Sequence, residues 1–386
     1  MPVGIMYRAA VTVSAVLLSL TGLQPAAAEH RSSDGLPRIT ITAATYNVCK
    51  VNCSTKYPWA QRRNAVVRTI AEAAPDVVAV QEAPTLPWRG TTQWADLTML
   101  LSQAGFQQPS DRDGCSDGCT RGAHLYFNPT RVRPYSIMRP SGQPEPPPQC
   151  MVYLNNPNLP EDMSGREFRD WRTYRCRDFL GYSATQDVGV GMGSQRELTG
   201  IGWGPIQDRN VSWAYLQDIA TGGVFLAVSV HLPTEKTAKG EDVRQSVARA
   251  LPGWIDSLNA DRGLTGVPVL IMGDLNSYAA RQPRGAQWIL GQAGYVDAFE
   301  APDRVNARFG TVNYTPRIRK WDGFPPKPFK YAREASRIDY VFATNGVVPL
   351  RHEVTLHLVG GKFDPAYRGS DHNLVRTQLS LPVVAR

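Results

Sequence analysis

The stretch VPVLIMGDLN, residues 267–276, decides how this chain is read. Residues 267–272 form an apolar run. It stops at Gly273 and is followed at once by Asp274 and Asn276. A short, wholly apolar run fits a strand covered on both faces, and here it ends in groups capable of chemistry. The pattern recurs along the chain. Residues 77–80, VVAV, precede Gln81 and Glu82, and residues 224–230, VFLAVSV, precede His231. Residues 38–48, carrying Ile39, Ile41, Tyr46 and Val48, read as a strand leading to Asn47. Strands that end on the same side of a sheet gather such residues in space, a common way to build a site from distant segments.

Between these strands the spacing predicts helices. Residues 59–74 place Ala65, Val66, Ile70 and Ala73 near helical spacing, and Pro75 closes the helix because proline disfavours helical geometry in the residue before it. Residues 94–104, stopped by Gly105, and residues 243–258 read the same way. Residues 337–342 and 374–379 read as further strands. Residues 129–204 differ. They are rich in Pro, Gly, Arg and aromatics, and are expected to form a long insertion tied down by Cys150 and Cys176 within one domain, not a second domain.

Residues 1–28 read as a secretory signal peptide: a lead-in ending at Arg8, an apolar run over residues 9–20, then Pro25 and Ala26-Ala27-Ala28. The apolar run is well short of the roughly 20 residues a membrane span needs. A Sec-type, extracellular destination is therefore expected, with residues 29–386 as a single domain. The cysteines fit that compartment. Their grouping as Cys49/Cys53, Cys115/Cys119 and Cys150/Cys176 suggests nearest-neighbour disulfides, although spacing alone leaves other pairings open. A zinc site from the two Cys-x-x-x-Cys pairs is disfavoured by the oxidising compartment and the loose spacing. The formal charge of +8 favours polyanionic partners without choosing among nucleic acid, anionic lipid and cell-wall polymer.

Taken singly, Gly273-Asp274-Leu275-Asn276 is compatible with a turn, and Gly369-Ser370-Asp371-His372 with a polar loop. Taken in order, six short motifs resemble the endonuclease/exonuclease/phosphatase (DNase I-like) superfamily. They are Tyr46-Asn47-Val48, Val80-Gln81-Glu82, Val230-His231-Leu232, Gly273-Asp274-Leu275-Asn276, Arg337-Ile338-Asp339-Tyr340 and Gly369-Ser370-Asp371-His372. The resemblance implies an α/β four-layer sandwich, two packed mixed β-sheets flanked by helices. It also implies a phosphoric ester hydrolase that uses Mg²⁺, or Mn²⁺ or Ca²⁺. Within it Glu82 is the leading metal ligand, with Asn47 and Asp371 near the same ion. Asp274 and Asn276 position water and phosphate, His231 and His372 are the acid/base candidates, and Asp339 partners His372. Cys49 stands where repair-type nucleases of the superfamily often carry Asp, which leans the reading towards secreted nuclease or lipase branches.

For the substrate, Arg166, Arg169, Trp171 and Arg172 in the insertion interleave cations with aromatics, as nucleic-acid binding requires. Residues 317–330 hold a second such stretch. A nuclease is the favoured expectation. The alternatives are a phospholipase C or sphingomyelinase meeting a lipid interface, a phosphomonoesterase, and a polyanion-binding protein without turnover. A monomer is expected. Asp111, Asp113 and Asp117 faintly resemble a calcium loop and are read as an ordinary turn. His124 is read as structural.

Overall fold

The computed structural model describes residues 37–51, 58–85, 87–109, 122–135, 182–183, 186–187, 189–312, 328–344 and 346–384. In chain order the principal elements are β1 (Arg38–Asn47), α1 (Trp59–Ala73), β2 (Val77–Gln81), α2 (Gln93–Gln103), β3 (His124–Phe127), β4 (Val132–Pro134), β5 (Val190–Ser194) and α3 (Gln195–Thr199). They continue with β6 (Asn210–Asp218), β7 (Val224–His231), α4 (Ala238–Asp261), β8 (Val269–Asp274), α5 (Ala286–Gln292), β9 (Val296–Asp297), β10 (Asp303–Val305), β11 (Asp339–Ala343), β12 (Val348–Val354) and β13 (Val375–Pro382).

Two mixed sheets result. The first has the order β10-β12-β13-β1-β2-β3, and the second β9-β11-β8-β7-β6-β4, with β5 also paired to β6. Period-two alternation distributes side chains between layers. Ala43, Val77 and Ala79 face inward and meet Phe225, Ala227, Leu270 and Met272 from the second sheet. Their neighbours Ala44, Val78 and Val80 face outward onto Trp59, Val66 and Ile70 of α1 and Leu97 and Leu101 of α2. On the far side Leu226, Val228, Val269 and Ile271 pack beneath Val243, Val247, Leu251 and Ile255 of α4. Each such fully buried aliphatic side chain contributes about 1.5–3 kcal/mol. The stack is helix, sheet, sheet, helix, as the resemblance implies.

Most expected elements sit within a few residues of their expected limits. The main differences have local causes. The α4 helix starts five residues before 243, because Thr237 caps it by accepting from the Gly240 N–H (3.1 Å), and it continues through Pro252. The stretch at about 129–204, expected as an insertion, has described residues at both ends. Its ends are sheet: β4 and β5 both pair with β6, so residues 132–134 and 190–194 belong to the second sheet. Arg166, Arg169, Trp171, Arg172, the 111–117 segment, residues 1–28 and Cys53, Cys115, Cys119, Cys150 and Cys176 lie outside the described residues. Cys49, the one cysteine within them, is not a free thiol. His124 is structural: it is buried, its Nε2 contacts the Ala83 carbonyl (2.9 Å), and its ring stacks on Trp94.

Candidate active site

Parallel pairing brings the motifs to one end of the sandwich. In the first sheet β1 and β2 run parallel with Asn47 opposite Gln81. In the second, β7 and β8 run parallel with His231 opposite Asp274, and antiparallel β11 places Asp339 opposite Asp274. Gly273 is required where β8 passes β7, since a Cβ there would fall 1.8 Å from the Val230 carbonyl oxygen. The sheets are joined at this end by Asn47, whose Nδ2 donates to Asp274 Oδ2 (3.0 Å) and Glu82 Oε1 (3.2 Å). Just below, Thr45 donates to Gln81 (3.1 Å) and Gln81 donates to Ser229 (3.4 Å), a buried polar link between the sheets.

Three residues at this rim hold the left-handed backbone region without being glycine: Cys49 (φ +61°), Glu82 (φ +59°) and Asn276 (φ +48°). Such conformations persist only where surrounding contacts enforce them, and those contacts are present. Cys49 N–H donates to Asn47 Oδ1 (3.0 Å), and Lys50 N–H to Glu82 Oε2 (3.1 Å). Asn276 N–H donates to Asp274 Oδ1 (2.8 Å), and Asn276 Nδ2 to the Leu232 carbonyl (2.9 Å). Asn47, expected beside the ion, therefore uses both ends of its amide in holding the carboxylates and the Cys49 turn.

The protonation states differ group by group. His372 is buried, and its Nδ1–H donates to Asp339 Oδ2 (2.9 Å) and Oδ1 (3.2 Å). Burial disfavours its charged form, but the Asp339 carboxylate outweighs this and raises the imidazole well above its usual range. Its Nε2 lies 4.0 Å from Asp274 Oδ2. Asp274 is pushed up to about 7, first by burial and then by the Asp339 charge, with His372 opposing. Glu82 moves the other way, to about 2: burial alone would raise it, and His231, His372 and the Lys50 and Asn47 N–H groups outweigh that. His231 is lowered to about 3 by burial and by Arg209. It is thus uncharged near neutral pH, and the lasting pull on Glu82 is that of His372 and the two N–H donors.

The tautomer of His231 follows from its neighbour. Arg209 can only donate, and its Nη1 reaches His231 Nδ1 (3.3 Å), so the ring proton sits on Nε2. That Nε2 is buried without a protein partner, 3.6 Å from Asp274 Oδ2 and 3.9 Å from Glu82 Oε1. Asp371 is raised by burial, with the Glu82 charge adding to it and His372 and Arg62 opposing. Glu82 and Asp371 thus act on each other as like charges in a desolvated place. Hard carboxylate oxygens in that setting suit a divalent cation. Asp274, Asp339 and His372 also bring one potential ligand atom each within 4.8 Å of one another.

All eight expected catalytic and metal residues, Asn47, Glu82, His231, Asp274, Asn276, Asp339, Asp371 and His372, meet at this rim. Sequence reading missed the supports. Thr311 accepts from the Ile338 (3.0 Å) and Asp339 (3.1 Å) N–H groups, and its carbonyl accepts from Asn373 N–H (2.7 Å). Arg209 and Arg62 were passed over as well. None lies in a motif, and the signal each carries, a lone polar residue that ends no apolar run, is too common to single out.

Comparisons agree with this geometry. The model of the Endonuclease/Exonuclease/phosphatase family matches residues 44–372. None of the curated proteins compared by sequence matches the chain. Among solved structures, an endonuclease/exonuclease/phosphatase from Bacteroides vulgatus is similar with a TM-score of 0.53 at 20% identity, covering 89% of this chain and 99% of that one. A family protein from Bacteroides thetaiotaomicron gives 0.56 at 18%, covering 89% and 98%. A mannosyl-6-phosphatase from the same organism gives 0.52 at 19%, covering 88% and 99%. At these identities the likeness is one of fold. With the family model spanning most of its length, this chain belongs to the endonuclease/exonuclease/phosphatase family and is a phosphoester hydrolase.

Proposed function

We propose that the protein is a secreted, divalent-cation-dependent phosphodiesterase acting on nucleic acid. The observation that carries the chemistry is the separation of protonation states around one small space: Asp274 near 7, His372 cationic, His231 neutral and Glu82 ionised. Environments that push neighbouring groups apart in this way assign acid and base roles. Asp274 is poised as the base for the attacking water, because a group that titrates near the working pH is the most effective proton acceptor. Asn276, bonded to it through its N–H, orients the same position. His372, held by Asp339, presents a cationic Nε2–H to a phosphoryl oxygen. His231 presents a neutral Nε2–H beside it, a hydrogen-bond donor towards the phosphate or the leaving oxygen. A hard cation held by Glu82 and Asp371 would supply further positive charge for the phosphoryl oxygens.

Support for a nucleic-acid substrate comes from charge and rim. The chain is basic, and the Arg/aromatic segment with Arg166, Arg169, Trp171 and Arg172 is suited to phosphates and bases. Next to Asn276, Arg281 lies over the Tyr278 ring at 5.1 Å, and Trp288 is exposed. Export is supported by the order of residues 1–28 and by six cysteines, a number that suits an oxidising compartment. The test is a panel of plasmid DNA, RNA, sphingomyelin, phosphatidylcholine and a sugar phosphate, each with Mg²⁺, Ca²⁺ or EDTA. Metal-dependent cleavage of nucleic acid is the expected result. Phosphocholine release or phosphomonoester hydrolysis without nucleic-acid cleavage would overturn the substrate and keep the site.

A further inference from the structure

Two of the segments that build the site lie far apart in sequence. Residues 47–50, at the end of β1, bring Asn47 and the Lys50 N–H to Glu82. Residues 369–372 precede β13 and bring Asp371 and His372. They meet directly, Ser370 Oγ–H donating to the Asn47 carbonyl (2.6 Å), and one side chain from outside both touches each of them. Arg62, the fourth residue of α1, is buried, and four of its five N–H groups donate to backbone carbonyls. Nη1 reaches the carbonyls of Val48 and Gly369 (2.9 Å to Gly369), and Nη2 those of Cys49 and Lys50 (2.8 Å to Lys50). Only Nε–H has no partner.

The guanidinium is itself held in place. Its Cζ lies 5.0 Å from the Trp59 ring centroid, and Trp59 Nε1–H donates to Asp96 (2.8 Å). One turn beyond Arg62 on the same helix face, Val66 packs so tightly on Gly369 that a Cβ there would lie 2.7 Å from the Val66 nitrogen. A planar fork can serve four carbonyls in two segments at once, whereas an ammonium offers three donors from a single atom.

We infer that Arg62 is a positioning residue for the cation site, fixing the spacing between the Glu82 side and the Asp371 side; this rests on the reading that those two carboxylates hold a divalent cation. Charge alone would argue the reverse. A fixed positive charge close enough to lower Asp371 also opposes a cation there. Geometry and charge therefore predict opposite signs, and Arg62→Lys separates them, because it keeps the charge and loses the fork.

The experiment is calorimetric titration of the metal-free full chain with Mg²⁺ and Mn²⁺, alongside thermal melts with and without metal. Wild type is expected to bind. Arg62→Lys should bind about 10-fold or more weakly, the usual effect of losing a residue that orients metal ligands, with its metal-induced rise in melting temperature correspondingly smaller. Trp59→Phe, a milder change that loosens the guanidinium's support, should weaken binding about threefold by the same mechanism. Leu381→Ala, in the inter-sheet core, should lower the melting temperature and leave metal affinity as in wild type. Unchanged affinity in Arg62→Lys, or in Trp59→Phe should Arg62→Lys fail to fold, would make the role structural only and overturn the inference. Equal weakening in Leu381→Ala would do the same. Absence of binding by wild type would instead remove the cation reading, and this inference with it.

Discussion

Near neutral pH the groups around the phosphate position hold different protonation states, each with a local cause. His372 owes its charge to Asp339. Asp339→Asn should therefore drop the His372 imidazole, followed by NMR titration, towards or below its ordinary range, and reduce turnover by about 10²–10⁴-fold, the usual contribution of a positioned acid or base. An unchanged His372 titration would remove Asp339 from that role. Asp274, raised to about 7 by burial and the Asp339 charge, should give an acidic limb in kcat/KM with its midpoint no higher than about 7; a bound cation can only move it lower. Asp274→Asn should abolish the limb with most of the turnover, and a limb surviving in that variant would belong to another group. At this scale the sequence was informative for the groups that do chemistry, because each ends an apolar run or sits in a short motif. It was silent on Arg62, Arg209 and Thr311, whose partners are mostly backbone carbonyls, backbone N–H groups or a ring from remote segments. Such contacts exist only after folding.

Elements place those residues by close approach. The β7–β8 pairing depends on Gly273, and the seat of the 369–372 segment on α1 depends on Gly369. Gly273→Ala or Gly369→Ala should each destabilise by about 3 kcal/mol or more, at the upper end for single substitutions, measured by denaturant unfolding; near-neutral effects would contradict the packing described. A second element-scale feature is β12, where His352 is buried against Phe299 with neither ring nitrogen bonded. Burial, then Arg337, lowers it to about 4. A histidine depressed in the folded state contributes stability that is complete above its unfolded value near 6.5 and is lost as pH falls towards about 4. His352→Phe should therefore flatten the fall in stability between those pH values, by up to about 1.4 kcal/mol per pH unit. An equally steep fall in the variant would point to His124 or other groups. Strands β1, β2, β7 and β8 were legible because they are apolar and end in polar motifs. Strands β6 and β12 and helix α3 went unassigned. The pairing of β4 and β5 with β6 was hidden because composition around them is dominated by Pro, Gly and Arg.

For the whole molecule, two sheets packed face to face leave a single rim where parallel strands from both end together, and Asn47 spans the gap between them. That is why residues spread from 47 to 372 form one site. Sequence alone suggested this convergence, while the four-layer arrangement came from resemblance, since strand order cannot be read from periodicity. The basic charge of the chain predicts that cleavage of nucleic acid at low substrate concentration falls steeply with added salt, as phosphate contacts do. A salt-independent rate would argue for a small neutral substrate. The most direct test of the central claim is plasmid nicking by the purified full chain in Mg²⁺, after EDTA, and after restoring Mg²⁺. Wild type is expected to nick in a way that EDTA stops and Mg²⁺ restores, and Glu82→Gln and His372→Ala are expected to lack that activity. Nicking unaffected by EDTA, or undiminished in both variants, would contradict it.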